Sequence, residues 1–373
     1  MRQVRQSVFG RVLGRLVMAL VVGTLDPLVG LAAVLEDQRF DAMYHYYNGD
    51  NTTVDGPALL VRKNFAEKTS VSAAYYADAI SSASIDVVTT ASPFTDRRTE
   101  VGLGVDYLHR NTLFSLSLTT SEENDYDSDA VNFNLSQEMF GGMTTITMGY
   151  GRGDDVVRSV DDPNFEDEVD RDRYRLGLSQ ILSKTLLFNV DYEAITDEGF
   201  LNSPYRAARI QGALVPERYP RTRESQALAF RVLKYLDPNR SIRLGYRYFS
   251  DTWDIKAHDV EIAFNKYLGS RWLLEVGYRY YTQDAASFYS DNFQTEQNFM
   301  ARDKELSTFT SNSIGGKVTY TFLEDDTGRI GRGTLNVAYN HIEFDYDDFT
   351  DIRTGKLFSF DADVVQLFVS LWY

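Results

Sequence analysis

The sequence predicts an all-β fold: a closed antiparallel transmembrane β-barrel of about sixteen strands, preceded by a signal peptide. Three observations lead to this prediction. Apolar and polar residues alternate with a period of two in many segments, which is typical of strands with two unlike faces. These segments are about ten residues long, the length that a tilted strand needs to cross a bilayer. Short and long connections alternate, as they do in bacterial outer-membrane barrels.

The alternation defines each predicted strand in turn. In "RYRLGLSQ", for example, Tyr174, Leu176 and Leu178 alternate with arginine, glycine and serine. A soluble β-sandwich also alternates, but its strands average about five or six residues, and its core would have to bury the charged set. The predicted strands span residues 38–47, 57–64, 70–80, 98–108, 112–122, 129–139, 143–152, 172–182, 185–195, 224–235, 240–250, 255–267, 271–282, 306–322, 333–345 and 361–373.

The connections between the strands predict which end of the barrel faces the periplasm. Short ones such as "HRN", "SKT" and "DPN" carry the residues that tight turns require. Long ones lie at residues 82–97, 153–172, 196–224 and 283–304, and we assign them to the extracellular side. An even number of strands then places both ends of the barrel segment in the periplasm.

The first 33 residues are predicted to be a cleaved signal peptide, and residues 34–373 the barrel. Four arginines precede an apolar run at residues 16–25, and small residues follow up to Ala33. This order is typical of a secretory signal, and the run is too short to span a bilayer as a helix. An N-terminal amphipathic helix is the alternative. The predicted location is the cell outer membrane, reached by export through the inner membrane.

The chain ends in "DVVQLFVSLWY", an alternating ladder that stops at an aromatic residue. In a closed barrel this last strand must pair with the first, because an open edge in hydrocarbon leaves backbone N–H and C=O groups unsatisfied. The ladder ending in Tyr373 also resembles the C-terminal signal that barrel-insertion machinery recognises, so that machinery is an expected partner. An ordinary terminal strand of a soluble protein is the alternative.

Composition limits the partners and cofactors. The formal net charge of −16 excludes the basic surface that nucleic-acid binding requires, so no nucleic-acid partner is expected. The chain has no cysteine, and no cofactor or metal motif occurs. Acidic stretches at residues 154–172 and 343–351 predict solvated loops that bind divalent cations weakly, bridging to lipopolysaccharide phosphates, with a dedicated Ca²⁺ site as the alternative. Outer-membrane lipid and lipopolysaccharide are the expected surroundings.

The polar face of the predicted strands would line the lumen. One interpretation is a charged constriction that selects ions or small anionic solutes. The other is a salt-bridged filling that keeps the interior rigid and closed, since an unpaired buried charge costs several kcal/mol. The lumen-lining candidates are Arg173, Arg175, Arg231, Arg243, Arg247, Arg279, Asp106, Asp191, Glu193, Glu261 and Glu275, with Asp259 beside them.

One long connection is a candidate plug. Residues 82–93 are rich in small residues and almost uncharged, unlike a segment exposed to water. We expect them to fold into the barrel mouth and pack on the loop "GFLNSPYR", so that their deletion raises conductance. In that loop region the arginines are expected to pair with Glu217 or Glu224. The loop and plug candidates are Ser82, Ser84, Asp86, Phe200, Pro204, Tyr205, Arg206, Tyr219 and Arg223.

No enzyme is predicted. The four histidines are His45, His109, His258 and His341, and none falls in a metal or nucleophile motif. A barrel hydrolase would need a serine–histidine pair at the outer rim. His109 lies beside a periplasmic turn, at the wrong end, so we identify no catalytic residues.

Four stretches that do not repeat one another carry a family resemblance. They are "YYADAISSASIDVV" at 75–88, "SEENDY" at 121–126, "GFLNSPYR" at 199–206 and "PERYPRTR" at 216–223. In combination they resemble a family of uncharacterised bacterial outer-membrane barrels, domain of unknown function 3570, over nearly the whole mature chain. The resemblance implies an outer-membrane location and no biochemical activity. Genes of the family often lie near flavinylation enzymes, thioredoxin-like proteins and a small lipoprotein, which implies a periplasmic or lipoprotein redox partner.

Two functions from different classes therefore stay open. The first is a pore or transport-type barrel for small solutes. The second is a non-conducting barrel that sheathes or anchors a redox complex at the periplasmic or cell surface. An outer-membrane hydrolase is the third and least supported, because its catalytic constellation is missing.

Overall fold

The computed structural model describes residues 34–82, 94–325 and 328–373. Sixteen strands form one closed antiparallel barrel, in which each strand pairs with the next barrel strand along the chain and the last pairs with the first. The predicted fold class and strand number are confirmed. The two helical segments in the described residues are single three-residue turns, so none is long enough to cross a membrane. The predicted signal peptide at 1–33 lies outside the described residues.

Most strands run longer than predicted, mainly at the outer end. The barrel strands are β1 (Arg39–Gly49), β2 (Thr52–Phe65), β3 (Thr69–Ser82), β4 (Phe94–His109), β5 (Thr112–Glu122), β6 (Tyr126–Met139), β7 (Thr144–Arg158), β8 (Glu166–Ser183), β9 (Leu186–Gly199), β12 (Thr222–Asp237), β13 (Arg240–Asp251), β14 (Lys256–Leu268), β15 (Trp272–Gln283), β16 (Phe309–Glu324), β17 (Arg332–Asp351) and β18 (Lys356–Trp372). A separate hairpin, β10 (Ala207–Ile210) with β11 (Ala213–Pro216), lies in the connection between β9 and β12.

β1 and β18 close the barrel over the whole length of β1. Their register runs from Arg39 opposite Trp372 to Gly49 opposite Ala362. Beyond the last pair, the Tyr373 backbone N–H donates to the Gln38 carbonyl at 3.3 Å. Because β18 is paired on both sides, the chain ends inside a hydrogen-bonded ladder.

The outer face of the barrel is apolar. Leu103 is 56% exposed, and its cross-strand neighbour Leu118 is 52% exposed. Such side chains recur at every second position on strands all round the barrel, with tyrosines such as Tyr107 and Tyr246 among them. Leaving a leucine in water rather than in an apolar environment costs about 1.5–3 kcal/mol. A continuous exposed belt of this kind therefore indicates contact with membrane hydrocarbon.

Two predictions about the connections are wrong. The acidic stretches 154–172 and 343–351 are not mainly loops, because β7 continues to Arg158, β8 begins at Glu166 and β17 continues to Asp351. Their carboxylates lie on strands that extend beyond the apolar belt. The outer connections are also not uniformly long, since residues 50–51 and 123–125 form tight turns.

Placing a charge on the outer face tests this assignment. We expect Leu103→Arg to cost about 2–4 kcal/mol of unfolding free energy, because the guanidinium would lie in hydrocarbon. Ser117→Arg is the matched control, since Ser117 alternates with the exposed leucines of β5 and faces the interior. Denaturant unfolding in lipid vesicles measures both. Equal losses would contradict the assignment of the two faces.

Candidate functional site

Two long connections meet over the outer mouth of the barrel. The first, residues 200–221, joins β9 to β12 and carries the β10–β11 hairpin. The second, residues 284–308, joins β15 to β16. We call the two segments together the cap. Each reaches residues far from it in sequence, so the structure of the cap depends on long-range contacts.

The two cap segments are joined as one body by backbone hydrogen bonds. Arg218 and Met300 exchange two of them, at 3.0 and 2.8 Å. Phe293 accepts one from Gln211 at 2.9 Å and donates another to Arg209 at 2.7 Å. Met300 is 1% exposed and packs with Phe293 in a small apolar cluster. Because these contacts combine paired backbone with apolar burial, the two segments are expected to move together.

Charged side chains reinforce this junction. Arg206 forms an ion pair with Asp303. Glu217 accepts hydrogen bonds from the backbone N–H of Arg302 at 2.6 Å and from the Tyr219 hydroxyl at 2.8 Å. Burial, together with the neighbouring Glu217 carboxylate, raises the pKa of Tyr219 well above its usual value. The phenol therefore stays a hydrogen-bond donor at neutral pH.

On one side of the mouth, tyrosine and phenylalanine anchor the cap to the rim. The Tyr205 hydroxyl donates to Asp125 in the β5–β6 turn at 2.6 Å and accepts from the backbone N–H of Val160 at 2.7 Å. Burial and this hydrogen bond to Asp125 raise the pKa of Tyr205. Phe200 packs edge-on against Phe165, with 4.9 Å between ring centroids.

On another side of the mouth, two cations of the cap reach an aromatic cluster on β17 and β18. Arg302 lies 4.4 Å from the ring centroid of Phe349 and donates to the Thr350 carbonyl at 2.6 Å. Lys304 is 1% exposed, pairs with Asp50 in the β1–β2 turn, and lies 5.6 Å from the ring centroid of Phe360. A buried ammonium without a partner would cost several kcal/mol, so the pair with Asp50 and the aromatic faces hold this anchor in place.

The anchors are spread around the mouth. The cap contacts the β5–β6 turn and the β7–β8 connection on one arc of the rim, and β17 and the β1–β2 turn on another arc of the closed strand order. On a further side, Tyr219 packs at 5.6 Å from the ring centroid of Trp253, in the β13–β14 turn. The cap therefore crosses the opening and does not merely line one side of it.

The loop candidates from the sequence fall into two groups. Phe200, Tyr205, Arg206 and Tyr219 form anchors or junctions of the cap as described, and Pro204 lies beside them in the same half-buried stretch. Of the predicted plug, Ser84 and Asp86 lie outside the described residues, and Ser82 ends β3. The packing of residues 82–93 in the mouth stays a prediction.

Two expectations about this region change. Arg223 pairs with Asp251 at 2.6 Å and Arg221 with Asp167 at 2.7 Å, not with Glu217 or Glu224, because these arginines face neighbouring strands. Sequence reasoning also missed residues 284–308 as a cap segment. The signal was present in part, since Phe293 and Met300 are too apolar for a solvated loop.

All eleven lumen-lining candidates lie on the interior face, because each alternates with exposed apolar residues of its own strand. Ten of them belong to β8, β9 and β12–β15. The eleventh, Asp106, pairs with Arg62 across β3. We define the charged wall as Arg173, Arg175, Asp191, Glu193, Arg231, Arg243, Arg247, Asp259, Glu261, Glu275, Arg279 and Lys317.

The charged wall begins with arginines on β8 that share a carboxylate. Glu193 lies 2.8 Å from Arg175 and 3.8 Å from Arg173. The Arg175 side chain is nevertheless 53% exposed, and that of Asp191 is 44% exposed and 3.7 Å from Arg231. Interior charges with this exposure contact water, so the salt-bridged filling describes this part of the wall incompletely.

Further round the barrel, the pairs are tighter. Arg243 lies 2.7 Å from Glu261 and 3.8 Å from Glu275. Arg279 lies 2.6 Å from Asp259. These pairs hold long side chains against the wall and away from the middle of the lumen.

The wall formed by β4–β7 is different, because its interior residues are mostly small and uncharged, apart from charged residues towards its ends such as Asp106 and Glu100. Gly102, Gly104, Ser117, Asn132 and Gly149 occupy inward positions there. Sixteen strands enclose a wide interior, and short side chains on one side leave space beside the charged wall.

The histidines form no nucleophile–base pair in the described residues. His45 is buried and bonds Asp78 at 2.7 Å and Tyr76 at 3.0 Å. His258 bonds the hydroxyl of Tyr246 on the outer face. None of the four imidazoles bonds a serine hydroxyl within the part of the chain that the structure describes.

One outward cluster bears on the expected cation binding. In the described residues, ligand atoms of His341, Glu343 and Asp361 lie within 4.8 Å of one another, and Glu343 stands opposite Asp361 in the sheet. These residues lie on β17 and β18, not in a loop as the sequence suggested. Weak divalent binding by this acidic region stays a prediction.

Comparison with known proteins identifies the family. Residues 85–334 match the model of the family described as protein of unknown function (DUF3570). The chain belongs to this family. The match confirms the resemblance inferred from the sequence, and the family description assigns the DUF3570 chain no activity. No protein of curated function matches it.

Solved structures resemble the DUF3570 barrel in fold. A bacterial polysaccharide outer membrane secretin has a TM-score of 0.53 at 8% identity, covering 91% of this chain and 99% of that one. OpdK from Pseudomonas aeruginosa, solved with vanillate, has a TM-score of 0.44 at 10% identity, covering 91% and 99%. The siderophore receptor PirA from Pseudomonas aeruginosa has a TM-score of 0.44 at 11% identity, covering 84% of this chain and 59% of the receptor.

At these identities the likeness concerns the fold alone. Together with the closed barrel and its apolar belt, it shows that the protein has an outer-membrane β-barrel fold. The chain spans 59% of the length of the siderophore receptor PirA from Pseudomonas aeruginosa.

The buried anchor at Lys304 can be tested by itself. We expect Lys304→Met to leave the Asp50 carboxylate buried without its cation and to lower the local stability of the cap by about 3 kcal/mol. Hydrogen exchange of the amides in residues 284–308 should accelerate accordingly. Adding Asp50→Asn should restore part of the protection, whereas Lys256→Met, at an exposed rim position, should have no effect. Unchanged exchange in Lys304→Met would show that this pair does not hold the cap.

Proposed function

We propose that this barrel is a transport-type passage for small solutes, which its cap keeps closed at the outer mouth until the cap is displaced. The observation that carries the proposal is the water-exposed charge inside the barrel, above all Arg175 and Asp191, beneath a cap that crosses the opening. A wide polar interior that water reaches is what a passage requires.

The cap has the features of a gate and not of a fixed core. It is a single body attached at separate places on the rim, and several of these attachments are ion pairs or hydrogen bonds. Such attachments can be exchanged for water when the cap moves outward, whereas the barrel ladder behind it stays intact. A solute that binds the outer loops, or a partner protein, could supply the free energy of displacement.

The second candidate function is the non-conducting sheath, and the same conductance experiment tests it. A barrel that anchors a redox complex should stay electrically silent and retain a periplasmic or lipoprotein partner during purification. The described residues contain no feature that favours this candidate over a passage. The hydrolase interpretation has no serine–histidine pair there to support it.

Conductance in planar bilayers tests the proposal. The native barrel is expected to show rare openings. The variant R302A/K304M should open frequently, because it lacks both cap cations that contact β17, β18 and the β1–β2 turn. We expect the open probability to rise at least about tenfold, since losing even 1.4 kcal/mol of closing free energy suffices. Arg218→Gln is the control, because it removes only exposed contacts inside the cap, with Glu296 and with the Gln297 carbonyl.

The outcomes separate the candidates. Frequent openings in the double variant alone support a capped passage. Silence in all three proteins, with each showing the heat-dependent gel mobility of a folded barrel, would reject it. Silence together with a stoichiometric protein partner from native membranes would favour the sheath.

A further inference from the structure

We propose that the passage selects small organic anions, those with a carboxylate or phosphate group, and that the charged wall does the selecting. This inference rests on the proposed function and names the substrate class of the same site. In the charged wall the cationic side chains outnumber the carboxylates, although the whole chain carries a formal net charge of −16. The net charge of the charged wall and that of the whole chain thus differ in sign.

The excess arises where two cations share one carboxylate. Glu193 serves both Arg173 and Arg175. Asp259 is bound by Arg279 at 2.6 Å, while Arg247 stands directly opposite Asp259 in the sheet. Arg247 forms no ion pair among the described residues, and its guanidinium lies 5.8 Å from the ring centroid of Phe249. Each shared carboxylate leaves about one positive charge uncompensated.

In one part of the charged wall the carboxylates outnumber the arginines, and a lysine restores a net charge of zero there. Arg243 faces two carboxylates, Glu261 and Glu275. Glu275 stands opposite Lys317 on β16, whose ammonium forms no ion pair in the described part of the chain. With Lys317 included, this stretch is neutral, and the excess from the neighbouring stretches remains.

Several inward carboxylates outside the charged wall are bound by cations or hydrogen-bond donors of their own. On the other side of the barrel, Arg39 pairs with Asp41 at 2.9 Å and Arg62 pairs with Asp106. On β4–β7 the inward residues of the middle part are small and uncharged, as Gly104 is. Towards the ends, Glu100 pairs with Arg98, and Asp155 accepts hydrogen bonds from Tyr126 and Ser128. The carboxylates of the cap are engaged with Arg206 and other cap groups.

The chemistry of the cations sets the class of solute. A guanidinium presents a planar pair of donors that matches the two oxygens of a carboxylate or phosphate. Arg175 is the most exposed of the paired arginines in the wall, so an anion can approach it from the lumen. Low-dielectric walls around such groups concentrate the field and raise the local concentration of counter-ions.

The experiment measures the reversal potential of the opened barrel, R302A/K304M, under a potassium chloride gradient. We expect chloride to permeate at least about tenfold better than potassium. Neutralising three wall cations, in R175Q/R247Q/K317Q on the same background, should bring the permeability ratio to one or below. The control R152Q removes one cation from the outer face, where Arg152 pairs with Asp170 and Asp172, and should leave the ratio unchanged. Potassium acetate and phosphate replace chloride as carboxylate and phosphate probes.

The results separate this inference from the proposed function. Absence of current in the opened barrel and in every variant would reject the passage itself. Current that is unselective or cation-selective in the opened barrel would reject only the anion preference, as would a ratio unmoved by the triple variant. If the triple variant fails to fold, as its gel mobility before boiling would show, Arg175→Glu alone must lower the ratio for the inference to stand.

Discussion

The structure depends on one constraint: in hydrocarbon, every backbone N–H and C=O must find a partner within the protein. Each unsatisfied group costs several kcal/mol there, so an open sheet edge is not a stable alternative. The pairing of β1 with β18 meets this constraint, because all eleven residues of β1 have a partner on the last strand. Tyr373 completes the ladder, and its hydroxyl reaches the Arg62 carbonyl at 3.0 Å on β2.

Closure determines the rest. Once the sheet is a cylinder, every second side chain must face lipid and the others must face the lumen. The outward apolar side chains can then be large, because they contact lipid and need no protein core around them. The charged side chains can lie inside the barrel, where water screens them. The apolar clusters of the described residues lie at the outer end, within the cap and between the cap and the rim. The capped outer end therefore has a conventional protein interior, while the membrane-spanning part is held mainly by its backbone ladder.

The sequence predicted the ladder well because the membrane imposes it locally. The period of two and the strand length are repeated in each segment, so sixteen strands and the facing of residues such as Arg175 and Leu176 could be derived residue by residue. The cap could not, because its contacts join residues far apart, as in Lys304 with Asp50 or Tyr205 with Asp125. The acidic stretches misled the prediction for a related reason. Above the membrane a strand no longer needs apolar residues on either face, so the outer parts of β8 and β17 look like loops in the sequence. Lys317 was missed because Gly315 and Gly316 weaken the alternation around it.

The most direct test of the central claim is a disulfide across the seam, which is cleanly designed because the chain has no cysteine. Met43 stands opposite Phe368, and Tyr44 opposite Leu367. In an antiparallel ladder, hydrogen-bonded residue pairs alternate with non-hydrogen-bonded pairs, whose Cα atoms are only about 4.5 Å apart. One of these two residue pairs therefore has the shorter Cα separation, which suits a disulfide. Oxidation in native membranes should link M43C with F368C, or Y44C with L367C, within one chain and should preserve the compact gel mobility on boiling. The offset pair M43C and S370C should remain unlinked. Failure of both in-register pairs, or links only between chains, would show that the barrel is not closed by these strands.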